Sequence, residues 1–201
     1  MKKPHITGVS VAVTTLCILT GLAQPSLSLE SPLSAKQQSA RRNFGQAEAF
    51  NNRGVELAQA GKITQAIAAF NQAIKIYPKF ENAHNNLGLA LGSQNKFSEA
   101  ATAFKRALAI NPQNFETYNN LGIALGSQGK FTEAVAVFNR AIQINPNAPI
   151  SHQNLGVAFW SQGKLPEAVA SLQKARELYS AQKDTEGVQH VDQVLQEIKA
   201  P

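Results

Sequence analysis

The chain has 201 residues, 43% of them hydrophobic and 16% charged, a globular composition that excludes wholesale disorder. Its formal charge is +6, and setting aside Lys2 and Lys3 reduces 19 basic residues to 17 against 13 acidic ones, or +4. That excess is scattered, with no basic run longer than Arg41-Arg42 or Lys105-Arg106, so a nucleic-acid partner, which needs a concentrated basic face, is not expected.

Lys2 and Lys3 precede an uncharged apolar run from Ile6 to Ala23. A basic start, a hydrophobic stretch and small residues around Gly21-Leu22-Ala23 are the pattern of a secretory signal peptide over residues 1–23. The rival reading is an uncleaved anchor, because 18 residues approach the length that spans a bilayer. Gly8, Ser10, Thr14, Thr15 and Thr20 dilute the run and favour cleavage. The expected location is therefore periplasmic or secreted, in a bacterium, with membrane contact only if the segment is retained. The sole cysteine, Cys17, follows Leu16, where a lipoprotein site would have a small residue. A cleaved chain would have no thiol for a disulfide, for catalysis or for a metal. Residues 24–46 read as a linker rich in Ser, Pro and Gln, with a short helix starting around Ser34.

From residue 47 the chain repeats itself every 34 residues. Asn119-Asn120-Leu121-Gly122-Ile123-Ala124-Leu125-Gly126 restates Asn85-Asn86-Leu87-Gly88-Leu89-Ala90-Leu91-Gly92, and weaker copies start at Asn51 and Gln153. The four units run 47–80, 81–114, 115–148 and 149–182 without an insertion, and the middle two agree at 19 of 34 positions. Within a unit, Phe97, Ala100, Ala101, Phe104, Ala107 and Leu108 have helical spacing, and so do Leu87, Ala90 and Leu91 before them. Each unit is thus a pair of helices. Position 15 is Gly61, Asn95, Gly129 or Gly163, the residues that tolerate the left-handed conformation ending a helix. Position 18 is Thr64, Ser98, Thr132 or Pro166, which reads as a helix start. Pro78, Pro112 and Pro146 stop the second helix. Gly54, Gly88, Gly122 and Gly156 at position 8 face Ala66, Ala100, Ala134 and Ala168 at position 20, small residues that allow close helix approach.

On these residues the chain resembles the tetratricopeptide repeat family. The family pattern of Leu-Gly, Ala, aromatic, Ala and Pro is met by Leu87, Gly88, Ala100, Phe104, Ala107 and Pro112, and again by Leu121, Gly122, Ala134, Phe138, Ala141 and Pro146. The resemblance implies an all-α, right-handed α-solenoid of four helix-turn-helix repeats. Departures from the pattern include Phe50, His84, Tyr118 and His152 at position 4, usually Trp, and Leu172 and Ser180 in the last unit. Residues 183–201 then supply Val188, Val191, Val194, Leu195 and Ile198 as one apolar stripe, suited to a capping helix.

No catalytic triad, metal spacing or phosphate loop is present in the sequence, so neither an enzyme nor a cofactor is expected. His84 and His152 read as packed residues at an aromatic site. The family geometry implies that residues near positions 2, 5, 6, 9, 12 and 13 of the first helix face a groove. Asn51, Asn85, Asn119 and Gln153 occupy position 5, and Asn52, Asn86, Asn120 and Asn154 occupy position 6. Amides can pair with any peptide backbone, and the row resembles the asparagine ladder of O-linked N-acetylglucosamine transferases, whose catalytic domain has no counterpart here. The bland alternative is an amide row bonded within the array. Val55, Leu89, Ile123 and Val157 at position 9 are the expected apolar contacts, with Gly92 and Gly126 leaving room. Trp160 is either a binding hot spot or part of the packing under the cap. Asn51, Val55, Asn86, Glu116 and Asn120 stand where a carboxylate clamp would need Lys and Arg, so acidic chaperone tails are poor ligands. Lys62, Lys96, Lys130 and Lys164 read as solvated charge in the turns. The expected partner is a protein or peptide held as an extended segment. A scaffold subunit using the opposite face is the alternative.

Overall fold

A computed structural model describes residues 34–199; the expected signal peptide, Cys17 and the first part of the linker lie outside them. The described residues form helices α1 (Ala35–Gln59), α2 (Ile63–Ile76), α3 (Glu81–Ser93), α4 (Phe97–Ile110), α5 (Phe115–Gly126), α6 (Phe131–Ile144), α7 (Pro149–Ser161), α8 (Leu165–Ala181) and α9 (Thr185–Lys199), with no strand among them. None of these helices is long and apolar enough to cross a membrane.

Helix α1 starts at a capping box. The Ser34 hydroxyl accepts from the Gln37 backbone at 3.3 Å, and the Gln37 side chain accepts from the Ser34 backbone at 2.9 Å. The helix is longer than the expected short one and runs on without a break into the first repeat. Its amino-terminal stretch stands in solvent until Phe44, which meets Tyr77 and Phe80 with ring centroids 5.4 and 5.3 Å apart.

The hairpin turns follow from single residues. Gly61, Gly129 and Gly163 have φ of 72°, 75° and 73°, and Asn95 has φ of 60°, the left-handed backbone expected at position 15. Tyr77, Asn111 and Asn145 end α2, α4 and α6 in extended conformations, because a following proline disfavours helical backbone. Helix α8 has Ser180 where those helices meet proline, and it runs 17 residues against their 14.

One expectation about these turns is corrected. The second helices begin at position 17, with Lys62, Lys96, Lys130 and Lys164 as N-caps that make no side-chain bond. Thr64, Ser98 and Thr132 therefore sit inside the first turn and do not cap it. Two of their hydroxyls face the next repeat instead. Thr64 Oγ1 accepts from Gln94 Nε2 at 3.2 Å, and Ser98 Oγ pairs with Gln128 Oε1 at 3.5 Å.

Close approach explains position 8. A Cβ on Gly54, Gly88 or Gly122 would lie 2.4, 2.5 or 2.4 Å from Cε1 of Phe70, Phe104 or Phe138, and one on Gly156 would lie 2.7 Å from Leu172 Cγ. Those four side chains, with Ala66, Ala100, Ala134 and Ala168 at 0% exposure, fill the seam between paired helices. Beyond the last repeat, Val191, Val194 and Leu195 of α9 cover Leu172, Ala175 and Tyr179 of α8. A Cβ on Gly187 would come within 2.4 Å of Tyr179 Cδ1, so the cap uses the same close approach.

Candidate functional site: the groove of the array

Positions 5 and 6 are one helical step of about 100° apart, and that step separates their fates. Position 6 turns toward the preceding repeat and position 5 toward the following one. Asn86 donates its Nδ2 to Asn51 Oδ1 at 2.9 Å, and Asn120 donates to Asn85 Oδ1 at 3.3 Å. Thr117 Oγ1 adds a second bond to Asn85 Oδ1 at 3.2 Å. Each pair is a rung joining the first helices of successive repeats.

The expectation that both rows face a ligand is therefore corrected for position 5. Asn51, Asn119 and Gln153 are buried, and Asn85 is half-buried with its carbonyl taken by the rung. Asn52 is exposed, since no repeat precedes it; Asn86, Asn120 and Asn154 remain half-buried. The third rung differs from the first two. Asn119 Nδ2 donates to Ser151 Oγ at 2.8 Å, while Asn119 Oδ1 and Asn154 Nδ2 are buried without partners. Turning the Asn119 amide over would reproduce Asn85, with Oδ1 accepting from the Ser151 hydroxyl.

Above the rungs lie three apolar hollows, one at each junction between repeats. The first has Val55, Ala58, Ile63 and Phe70 on one side and Asn86 and Leu89 on the other, and holds about 280 Å³. The second, about 220 Å³, has Leu89, Gly92, Phe97 and Phe104 facing Asn120 and Ile123. The third, about 450 Å³, has Ile123, Gly126, Phe131 and Phe138 facing Asn154 and Val157. The three share one pattern: positions 9, 12, 17 and 24 of one repeat and 6 and 9 of the next. Leu89 and Ile123 are the walls between adjacent hollows, and with Val157 they are 47%, 49% and 37% exposed. No charged residue lines any of the three.

Gly92 and Gly126 mark position 12. Unlike the position-8 glycines, a Cβ on either would meet nothing within 4 Å. Gly92 is next to the last residue of α3, and Gly126 is the last residue of α5. Packing does not require them; they keep the hollows open. The family resemblance implies this room, but only the neighbours separate it from the filled space at position 8.

Trp160, at position 12 of the last repeat, packs against the cluster under α9, beside Val169, Val188 and Ile198. It belongs to the packing under the cap, not to the three hollows. His84 and His152 also have structural roles. Their Nε2 atoms lie 2.9 Å from the carbonyl oxygens of Pro78 and Pro146, each six residues back at the repeat junction. Lys96 lines a separate hollow between α2 and α4 with Glu99 and Arg106, away from the groove. Among the described residues no group of His, Cys, Asp and Glu could hold a metal.

The fold and groove define an α-solenoid of helical hairpins whose first helices share one continuous face. The chain belongs to the tetratricopeptide repeat family, whose model matches residues 37–81, 51–115, 85–149 and 119–183. Such repeats are protein-interaction modules. No curated protein sequence matches the chain. Among solved structures, a crystal structure of MamA aligns with a TM-score of 0.66 and 25% identity over 74% of this chain and 85% of that one. MamA residues 41 to end from Desulfovibrio magneticus RS-1 align at 0.65 and 22% identity, over 71% and 81%. The first tetratricopeptide domain of Spaghetti (RPAP3), bound to the HSP90 peptide SRMEEVD, aligns at 0.58 and 21% identity, over 60% and 95%. At these identities the latter two describe the fold alone.

Proposed function

We propose that this protein is an exported, non-catalytic adaptor or assembly factor that holds an extended segment of a partner protein in the groove. The observation that carries this is the row of three equivalent, uncharged apolar hollows, each with a half-buried asparagine at its edge. Burying three side chains of Leu size gains about 1.5–3 kcal/mol each, against an association cost of about 4–15 kcal/mol. One hollow is too little, and a ligand must engage the row. The bound HSP90 peptide of the RPAP3 domain ends in acidic residues; the hollows here carry no cation to meet them, so the partner chemistry differs.

Export is part of the proposal and rests on Lys2, Lys3 and the run Ile6–Ala23. Amino-terminal sequencing of the chain from fractionated cells tests it, and an intact Met1 in a cytoplasmic fraction would sink it. For the groove, a photo-reactive amino acid at position 123 is expected to crosslink a partner, and one at position 102 is not. Crosslinking only from position 102 would favour the scaffold alternative, in which an envelope complex binds the charged face around Lys96, Glu99 and Arg106.

A further inference from the structure

The three hollows recur once per repeat, between successive first helices, and the packing distance of those helices constrains what fits. Successive first helices that contact one another pack with axes about 8–10 Å apart. A polyproline-II segment advances about 3.1 Å per residue and turns once in three residues, so side chains three apart share a face and stand about 9 Å apart. A flat β-strand presents one face every second residue, about 6.8 Å, or every fourth, about 13.6 Å, and neither matches.

The polar groups agree with this match. In the first two rungs the asparagine of the later repeat commits Nδ2 and leaves Oδ1 outside the bond. That oxygen is an acceptor, and a polyproline-II backbone carries N–H groups with no internal partners. Asn154 stands at the edge of the third hollow, the largest of the three. The uncharged lining suits a neutral ligand. A Cβ added at Gly92 or Gly126 would meet nothing within 4 Å, so both positions open onto the hollows.

We infer that the groove selects a neutral polyproline-II segment of a partner protein carrying an apolar side chain at every third residue, one for each hollow. This inference rests on the groove-binding reading above and narrows its ligand.

The test uses the full chain and labelled synthetic peptides of one composition, leucine among serine and proline, with leucine at every second, third or fourth position. The every-third peptide is expected to bind about tenfold or more tighter than the others. Gly126→Leu and Gly92→Leu should each weaken it about tenfold without lowering the denaturation midpoint. Equal binding of all three peptides, abolished by Gly126→Leu, overturns the spacing and leaves the groove reading intact. No binding, or binding that ignores Gly126→Leu, Gly92→Leu and Ile123→Ser alike, overturns both. Binding that emerges only after residues 24–33 are deleted would make the chain's own Pro- and Leu-containing stretch the occupant, and the partner assignment would fail. Loss of self-association on Gly126→Leu would assign the groove to a second copy and overturn it equally.

Discussion

Asn86 donates its side-chain amide to Asn51 across 2.9 Å, tying the second repeat to the first through residues 35 apart. The same step recurs from Asn120 to Asn85. These rungs have a stability consequence distinct from binding. Asn85→Ala leaves the Thr117 hydroxyl and the Asn120 amide without their shared acceptor, and is expected to cost about 1–3 kcal/mol. Asn52→Ala, at an exposed site, should stay within about 0.5 kcal/mol. Urea denaturation of the two variants separates the outcomes; equal midpoints would mean that the rungs carry no weight.

Two glycines four residues apart on α5 should respond differently. Gly122→Ala places a methyl 2.4 Å from Phe138, and overpacking of this kind costs about 1–3 kcal/mol. Gly126→Ala, at the last residue of α5, meets open space and should stay within about 0.5 kcal/mol of the parent. If both variants destabilise alike by calorimetry, the distinction between filled and open glycines is wrong.

Leu172 of α8, at 0% exposure, fills the seam with α7 at Gly156 and also lies under the C-terminal cap α9. Leu172→Ala is expected to cost about 2–5 kcal/mol. Because the last repeat packs only on its neighbours, α9 should lose hydrogen-exchange protection before α3 and α4 do. Uniform loss across the array would show that the cap does not act as a separate edge.

Alkaline pH should weaken the same end. Burial, with the Asp184 charge second, raises the Tyr179 hydroxyl above its ordinary value of 10.0. A group raised in the folded state contributes stability that is fully present below its unfolded value and is lost as pH rises through the folded one. The unfolding midpoint should therefore decline above pH 10, and Tyr179→Phe should flatten that decline. An identical alkaline profile in the variant would count against the assignment.

Much of this array is legible residue by residue. The turn at Asn95 is one case: a period that places Gly at three units and Asn at the fourth calls for left-handed backbone, and the φ of 60° agrees. Ser180 is another, since a missing proline lets α8 run on. Trp160 was open to two readings because a large aromatic side chain serves a binding face and a cap equally well; its neighbours on α8 and α9 decide it. Thr64 and Ser98 had the chemistry of caps, yet the helices start one residue earlier and their hydroxyls reach the next repeat.

The order of amino acids is enough to set the period, the hairpins and their left-handed turns, because these depend on local backbone preference and on apolar spacing along one helix. The parts taken by the asparagines and glycines depend instead on the packing of one repeat against the next. Asn119 and Asn120 are adjacent amides with identical chemistry, and Gly122 and Gly126 are identical residues on one helix. Each pair is divided by what lies across the gap: Ser151 and Asn85 for the amides, Phe138 or empty space for the glycines. A repeat pattern records which positions recur, but burial and hydrogen bonding are set by neighbours 32 to 35 residues away. The groove is therefore a property of packed repeats, not of any one of them.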